Sequence, residues 1–399
     1  MKIKLAVLFG GKSVEHEISV ISALQAMDNM DAEKYEIIPV YITKQNDFYT
    51  GNILRDIQKY RDIPKLLAEA VRVTFVSENG KTRLERVPAK KFGSNIISEI
   101  DVAFPIVHGT NVEDGALQGF LKTLNLPFVG CDVLASAVGM DKFVMKTLLK
   151  DAGFPVLPAL RFASEDYNTP ETLISAVEQK IGYPVIVKPV NLGSSVGISK
   201  AIDRDGLQNA LDTAFSFADT VLIERAIVQL KEINCSVVGD ETGAEASVLE
   251  EPVMQDEILS YKDKYMDGGK GSKSSGMASL KRRIPAEIPE SQAEEIRSLA
   301  VDCFRTLGCS GVSRIDFMID MEEDKVYINE INTIPGSLSF YLWEPKGVAY
   351  KELLDKLISL ALDRSRRQSQ LTYTFDTNVF AMGSGFGGAK GAKGAKVSR

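Results

Sequence analysis

The sequence predicts an α/β protein of more than one domain, on three observations. The chain opens with an apolar run of strand length at residues 2–9 (KIKLAVLF). A glycine turn, Gly10-Gly11-Lys12-Ser13, and a helix-like segment at 20–27 follow. Strand, glycine turn and helix is how an α/β unit begins. A later stretch, residues 312–336, holds two strand-like runs around the acidic turn Met321-Glu322-Glu323-Asp324-Lys325, the pattern of a hairpin. Finally, 399 residues exceed what one ordinary core fills, so two or three domains are expected.

Composition narrows the class. At 44% hydrophobic and 25% charged residues the chain reads as soluble and globular, and a net charge of -7 argues against a nucleic-acid surface. The first apolar run is too short for a signal segment or a membrane span, so no membrane insertion is expected. Cys131, Cys235, Cys303 and Cys309 show no CxxC spacing. They read as reduced, buried thiols of a cytoplasmic protein. With only His16 and His108 beside them, a zinc site is not expected.

In chain order, Glu15 and Glu17 follow the first glycine turn, where carboxylates favour a helix N-terminus. Residues 35–43 (YEIIPVYIT) read as a second strand. Within 44–100, two short alternating runs near 71–76 and 82–87 read as an inserted hairpin. Residues 100–107 form another buried strand ending at His108, before a helix at 116–124. Ligands of open α/β sheets sit beyond the carboxyl ends of strands, which is where His108 falls, although a lone histidine is more often structural. Residues 126–130 read as a strand and 133–152 as one helix carrying Lys142. A further helix is expected at 169–179.

Residues 181–200 (IGYPVIVKPVNLGSSVGISK) place Lys188 at the end of a strand, before a glycine- and serine-rich turn. Glycines let backbone N–H groups close over phosphates, and Lys188 adds a point charge. No GK[ST] helix follows, so this is a hairpin-type phosphate cover rather than a P-loop; the alternative is an ordinary glycine hairpin. Glu224 ends a strand at 220–226, and Glu232 opens the next. A Gly-, Ser- and Lys-rich loop at 266–276 suits a lid. A helix is expected at 291–307 and a last one at 351–363. The segment 383–399 (GSGFGGAKGAKGAKVSR) is a basic low-complexity tail.

The stretch at 312–336 carries the strongest chemistry. Alternation puts Arg314, Asp316 and Met318 on one strand face, with Ile315, Phe317 and Ile319 on the other. The same alternation groups Ile328, Glu330 and Asn332. Paired as a hairpin, Asp316, Glu330 and Asn332 converge, with Arg314 at the edge. Two carboxylates and an amide oxygen are hard ligands suited to Mg²⁺, an ion that prefers to bridge to nucleotide phosphates. Arg314 suits a developing anion. The competing reading is a solvated hairpin with ordinary polar residues on its wet face.

Taken together, LFGGKSVEHEIS, HGTNVEDGALQG, VKPVNLGSSVGISK, SRIDFMID and NEINTIPG resemble, in order, the motifs of the D-alanine–D-alanine ligase family of ATP-grasp enzymes. The resemblance covers residues 2–363. It implies a three-domain ATP-grasp fold with an N-terminal open α/β domain at 1–125, a central subdomain at 126–222 and a C-terminal subdomain with metal site and lid at 223–365; composition adds a flexible basic Gly/Ala/Lys tail at 366–399, which like the insertion at 44–100 goes beyond the shortest family members. The resemblance implies ATP and two Mg²⁺ (or Mn²⁺) as cofactors, amino-acid substrates and a cytoplasmic homodimer.

By the same resemblance, Lys142 and Lys188 hold phosphates, with Ser195 on the covering turn. Glu224 and Ile227 match the adenine-contacting strand, and Glu232 matches the ribose ligand. Asp316, Glu330 and Asn332 match the metal site, while Arg314 and the backbone of Gly336 match the oxyanion-holding groups. Glu15 matches the residue that takes the first substrate's amino group, with His108 nearby. Ser194 and Tyr265 match its partners in closing the site, and Lys264 stands among the lid residues. One departure concerns the second substrate. Where the family grips its carboxylate with a Thr-Ser-x-Ser-like run, this chain has Ser337-Leu338-Ser339-Phe340-Tyr341; Ser339 remains and Tyr341 replaces the later serine. The implied activity is ligation of two D-alanines through an acyl phosphate, for peptidoglycan precursor synthesis. Two alternatives stay open: a related carboxylate–amine ligase with another second substrate, and a nucleotide-binding regulator without catalysis.

Overall fold

The computed structural model describes residues 2–193, 195–253 and 282–374. Residues 1–362 form one compact unit and 363–399 a second. The segment expected as a lid, with Lys264 and Tyr265, lies outside the described residues, as do Ser194 and residues 383–399.

The first sheet is built from β1 (Ile3–Gly10), β2 (Tyr35–Ile42), β3 (Phe48–Thr50), β4 (Val71–Glu78), β5 (Lys81–Arg86), β6 (Ile96–Ile100) and β7 (Val102–Pro105), in the order β6-β5-β4-β3-β2-β1-β7. β1 runs parallel to β2 and to β7. A parallel strand covered on both faces needs an unbroken apolar run, and Leu5 to Phe9 are wholly buried. The expected hairpin is β4 against β5. Helices α1 (His16–Asn29), α2 (Ile63–Glu69) and α3 (Ala116–Thr123) accompany this sheet. Residues 126–130 do not form a strand; they contribute a single bridge, Phe128 to Ala103.

The helix expected at 133–152 is two helices, α4 (Val133–Met140) and α5 (Lys142–Asp151). Asp141 separates them. Its extended backbone ends the first helix, and its carboxylate accepts from Phe143 N and Val144 N, starting the second. The second sheet holds β8 (Ala159–Ala163), β9 (Val185–Pro189), β10 (Ser199–Ala201) and β11 (Thr220–Arg225), in the order β10-β9-β11-β8, with α6 (Pro170–Lys180) and α7 (Arg204–Phe215). Leu173, Val177, Leu207 and Leu211 form its own apolar core.

The third sheet holds β12 (Leu230–Asp240), β13 (Gly243–Pro252), β14 (Arg282–Arg283), β15 (Gly311–Asp320) and β16 (Lys325–Asn332), in the order β14-β13-β12-β15-β16. Helix α8 (Glu290–Thr306) packs on it, burying Ile296, Ala300 and Phe304 against Ile315 and Phe317. A short turn region (Gly336–Leu342) and α9 (Tyr350–Gln368) follow. Leu338 and Trp343 bury against the core of the first sheet. No helix among the described residues is long and apolar enough to cross a membrane.

β15 and β16 pair as the predicted hairpin, with Asp316 opposite Glu330 and Arg314 opposite Asn332. Strict alternation fails at one point. The register shifts beyond Asp316, so that Phe317 faces Ile328 and Asn329 is the extra residue. A bulge rotates the strand by one place. Ile328 therefore lies in the apolar core, not on the face of Glu330 and Asn332 as expected. Removing its side chain opens a cavity in that core. Ile328→Ala is expected to lower unfolding free energy by about 2–5 kcal/mol in chemical denaturation; a loss under about 1 kcal/mol would put Ile328 back on the polar face.

Candidate active site

A single cavity is lined from all three sheets: Glu15 and His108 from the first region, Lys142, Lys188 and Glu224 from the second, and Asp316 and Glu330 from the third. The polar face of β15 and β16 supplies its floor. Arg314 grips Asp316 with both arms of its fork, Nε to Oδ1 at 2.6 Å and Nη2 to Oδ2 at 2.7 Å. Asn332 Nδ2 donates to Asp316 Oδ2 at 3.0 Å. Burial pushes the Asp316 carboxyl up, Arg314 opposes this, and neighbouring Glu330 and Glu250 add to the rise. Carboxylates crowded in this way are what a hard divalent cation relieves. The donor set of two carboxylates and an amide oxygen fits magnesium, although no group of three His, Cys, Asp or Glu side chains gathers as a metal site among the described residues.

Cations face this floor. Lys142 Nζ bonds Leu192 O at 2.8 Å and pairs with Glu330 at 3.2 Å. Lys188 Nζ bonds Glu224 Oε1 at 2.5 Å and Asn329 Oδ1 at 3.2 Å, so the bulged residue also serves the site. Lys146 Nζ takes the other Glu224 oxygen at 2.5 Å. Burial alone would raise Glu224; Lys146 and Lys188 overcome it and hold the carboxyl down to about 2. Lys146 moves the other way for its type. Burial drives it to about 8, and Lys188 outweighs part of the help from Glu224. The two shifts fit one account: two lysines share one carboxylate, leaving the buried group one positive charge in surplus. An anion satisfies that surplus. Glu224, expected beside an adenine, spends both oxygens on lysines. Ile227 buries with Leu157 and Met318 in a small apolar cluster, beside which Ile186, Leu230 and Met318 line the cavity. Glu232 and Ser195 line it too.

The loop after β16 is held from the first region. His108 is buried, and burial lowers its pKa, so the neutral imidazole is the form present. Its Nδ1 lies 2.9 Å from Ile334 O and its Nε2 3.1 Å from Ser22 Oγ. A carbonyl can only accept, so Nδ1 carries the hydrogen and Nε2 accepts from Ser22. Ser22 Oγ in turn accepts from Ser337 N. Glu113 accepts from Ile334 N at 2.9 Å, from Thr333 Oγ1 at 3.3 Å and from Gly109 N at 3.0 Å. Both imidazole nitrogens of His108 are thus engaged with protein. Between these anchors lies Gly336, followed by three left-handed residues, Ser337, Leu338 and Ser339, with φ of 49°, 53° and 51°. Ser339 Oγ is buried with no hydrogen-bond partner among the described residues. Glu15 is buried at the start of α1 and makes no side-chain cap of that helix. A Cβ on Gly193 would stand 2.7 Å from its Oε2, so a side chain there requires the Glu15 carboxylate to shift.

The structure adds residues that the motifs did not single out: Lys146, Ser22, Glu113, Asn329, Glu250, Asn234 and Arg282. Lys146 had a signal. It stands four residues after Lys142 on one helix face, an unfavourable pair unless an anion lies between or beside them. Tyr341 donates to Glu250 Oε2 at 3.0 Å, and Asn234 to the same oxygen at 3.2 Å.

Fold and site together define an ATP-grasp protein, with a cation-lined cleft between two antiparallel sheets and paired carboxylates facing it. Comparison with known proteins gives the family. Residues 4–131 match the model for the D-ala D-ala ligase N-terminus and residues 148–359 that for the D-ala D-ala ligase C-terminus. The D-alanine--D-alanine ligase of Caldicellulosiruptor bescii is 42% identical over 382 residues, covering 94% of this chain and 99% of the relative. That of Thermosipho melanesiensis is 38% identical over 379 residues, covering 94% and 98%. Among solved structures, the D-alanine-D-alanine ligase from Coxiella burnetii aligns with a TM-score of 0.75 at 30% identity, over 92% of this chain and 96% of that one. The VanG D-Ala:D-Ser ligase from Enterococcus faecalis aligns with a TM-score of 0.74 at 30% identity, over 90% and 100%. The chain belongs to the D-alanine–D-alanine ligase family.

Two stability predictions follow from the buried charges. Glu224→Ala leaves Lys146 and Lys188 buried without their carboxylate and is expected to cost about 3–5 kcal/mol in denaturant unfolding, part of it recovered when Lys146→Met is added; an unchanged midpoint in the single variant would contradict the arrangement. For Glu113, burial outweighs three donors and raises the carboxyl to about 7. A carboxyl raised on folding contributes stability that is present below its unfolded value, near 4.5, and is lost as pH rises through about 7. Relative to Glu113→Gln, the wild type should lose on the order of 3 kcal/mol across that window, read as the difference between their melting profiles; parallel profiles would remove the assignment.

Proposed function

We infer that this chain joins two D-alanine molecules into D-alanyl-D-alanine at the expense of ATP, serving peptidoglycan precursor synthesis. The observation that carries the reading is the meeting of an opposed carboxylate pair, Asp316 and Glu330, with a buried lysine group of surplus positive charge in one cleft. Such a cleft takes a nucleotide's phosphates on the lysine side and a divalent cation on the carboxylate side. Asp316, Glu330 and Asn332 would hold two Mg²⁺, whose charge would offset that of the phosphates. Lys142 and Lys188 hold the phosphates, with Ser195 on the covering turn. The apolar wall near Ile227 and Leu230 takes the base, beside Glu224, and Glu232 takes the ribose.

Glu15 receives the ammonium of the first D-alanine. The carboxylate oxygen of that D-alanine attacks the terminal phosphorus of ATP, ADP leaves, and an acyl phosphate results. The amine of the second D-alanine then attacks the carbonyl carbon, and phosphate departs. Negative charge gathers on the carbonyl oxygen at that moment, and Arg314 with the Gly336 N–H meets it in place. His108 acts here by fixing the loop that presents Gly336, in addition to lying beside the first substrate. Ser194, Lys264 and Tyr265 complete the closure that keeps water from the acyl phosphate; Ser339 and Tyr341 belong to the second substrate's end. We read the three sheets as an N-terminal substrate domain at 1–125 and ATP-grasp subdomains at 126–222 and 223–365, in a cytoplasmic homodimer.

Incubation with Mg-ATP and D-alanine is expected to release ADP and phosphate and yield the dipeptide by mass; chelating the metal should stop turnover and added Mg²⁺ or Mn²⁺ restore it. Asp316→Ala and Glu330→Ala should each lower kcat by roughly a thousandfold or more. Near-normal rates in both would remove the metal assignment. Tyr341, standing where the family has serine, keeps a second reading in view: a mixed product formed only when another acceptor such as D-serine is present would replace D-alanine at the second site.

A further inference from the structure

Ligation leaves the second amino acid's carboxylate intact, so the cleft must hold a negative group that takes no part in bond making. This step rests on the ligase reading above. Four described cations line the cavity: Lys142, Lys188, Arg282 and Arg314. Three already have work in the ligase reading, Lys142 and Lys188 with the phosphates and Arg314 with the developing oxyanion, and each is also bonded to protein. Lys142 bonds Leu192 O and Glu330, Lys188 bonds Glu224 and Asn329, and Arg314 spends two N–H groups on Asp316.

Arg282 is different. Its side chain is 11% exposed, and it pairs with Glu250 Oε1 at 3.1 Å through Nη1. Its guanidinium lies over the Tyr341 ring, 4.3 Å from the centroid. Its Nη2 is buried and has no hydrogen-bond partner among the described residues. A guanidinium stays charged at any pH the protein meets and carries no acceptor, so a buried N–H of this kind calls for an acceptor oxygen, and the carboxylate left intact by ligation supplies two. Glu250 is not available for a ligand. Its oxygens accept from Arg282, from Asn234 Nδ2 and from the Tyr341 hydroxyl. Tyr341 has one hydrogen and gives it to Glu250. The phenol therefore cannot donate to a substrate carboxylate while this arrangement holds, and it does not do the serine's work directly.

We propose that Arg282 binds the carboxylate of the second amino acid, and that Glu250 and Tyr341 are the positioning residues that aim its fork. The flat ring fixes the plane of the guanidinium and Glu250 fixes one arm, leaving the other arm without a partner. A planar fork matches a carboxylate in a way a single hydroxyl does not. The tyrosine in the serine's place thereby becomes part of a different grip on the same group.

The test uses the full chain, with D-alanine as donor and either D-alanine or D-alaninamide as acceptor, the products separated by mass. The amide keeps the attacking amine and lacks the charge. The wild type is expected to prefer D-alanine, and Arg282→Gln to shrink that preference roughly 10- to 100-fold. The change should fall on the KM of the second D-alanine, with the first D-alanine and ATP constants within about twofold of wild type. Tyr341→Phe keeps the ring and should raise the same KM by a smaller factor. An unchanged acceptor preference in Arg282→Gln overturns the proposal. Where that variant melts far below the wild type, Arg282→Lys is read on the same ratio, with part of the preference expected to survive and a full wild-type ratio and KM counting against the fork. A wild type that makes no dipeptide from D-alanine fails the ligase reading itself and this proposal with it; a wild type that does, with variants unmoved, fails the proposal alone.

Discussion

One extra residue in one strand governs the chemistry of this protein. The bulge at Asn329 lets β16 serve two masters: Ile328 faces the core while Asn329 and Glu330 both face the cleft. A regular strand cannot present two successive residues on one side. Through it Glu330 stands against Asp316, and Asn329 reaches Lys188 on another sheet. The hydrophobic core under the third sheet and the polar floor above it are therefore set by the same local irregularity.

Charge is distributed in the cleft so that each region is short of its complement. The Lys146–Glu224–Lys188 group lacks one negative charge; the carboxylates around Asp316 crowd one another until burial and repulsion raise it. Folding alone does not settle either imbalance; in the function proposed above, a nucleotide with a divalent cation would settle both. Buried ion groups of this type stabilise little by themselves. Their worth lies in fixing where the next charge goes.

Much of this was legible in the sequence, and the limits of legibility are physical. Alternation placed Arg314, Asp316 and the core triplet Ile315, Phe317, Ile319 correctly, because β15 is regular. The same rule misplaced Ile328, since a bulge leaves no mark in hydrophobic periodicity. One helix was expected where Asp141 makes two; its capping role depends on backbone geometry that a polar residue in a helical pattern does not reveal. Glu250 and Arg282 were out of reach for another reason. They meet only through the pairing of β13 with β14, a non-local contact with no motif of its own. The family's motifs, by contrast, follow the residues that line the cleft, and so the site was more readable than the frame that supports it.

The left-handed turn at Ser337–Ser339 has a consequence for how mutations elsewhere are felt. Three successive L-residues at positive φ hold backbone energy on the order of 1–2 kcal/mol each. They do so because Ser22, His108 and Glu113 fix the strand of chain leading in, from positions more than two hundred residues away in sequence. Loss of Ser22 from α1 would then be felt at the turn that follows Gly336, with every cleft side chain still present. Inheritance of function in this protein depends on preserving a shape as well as a set of residues.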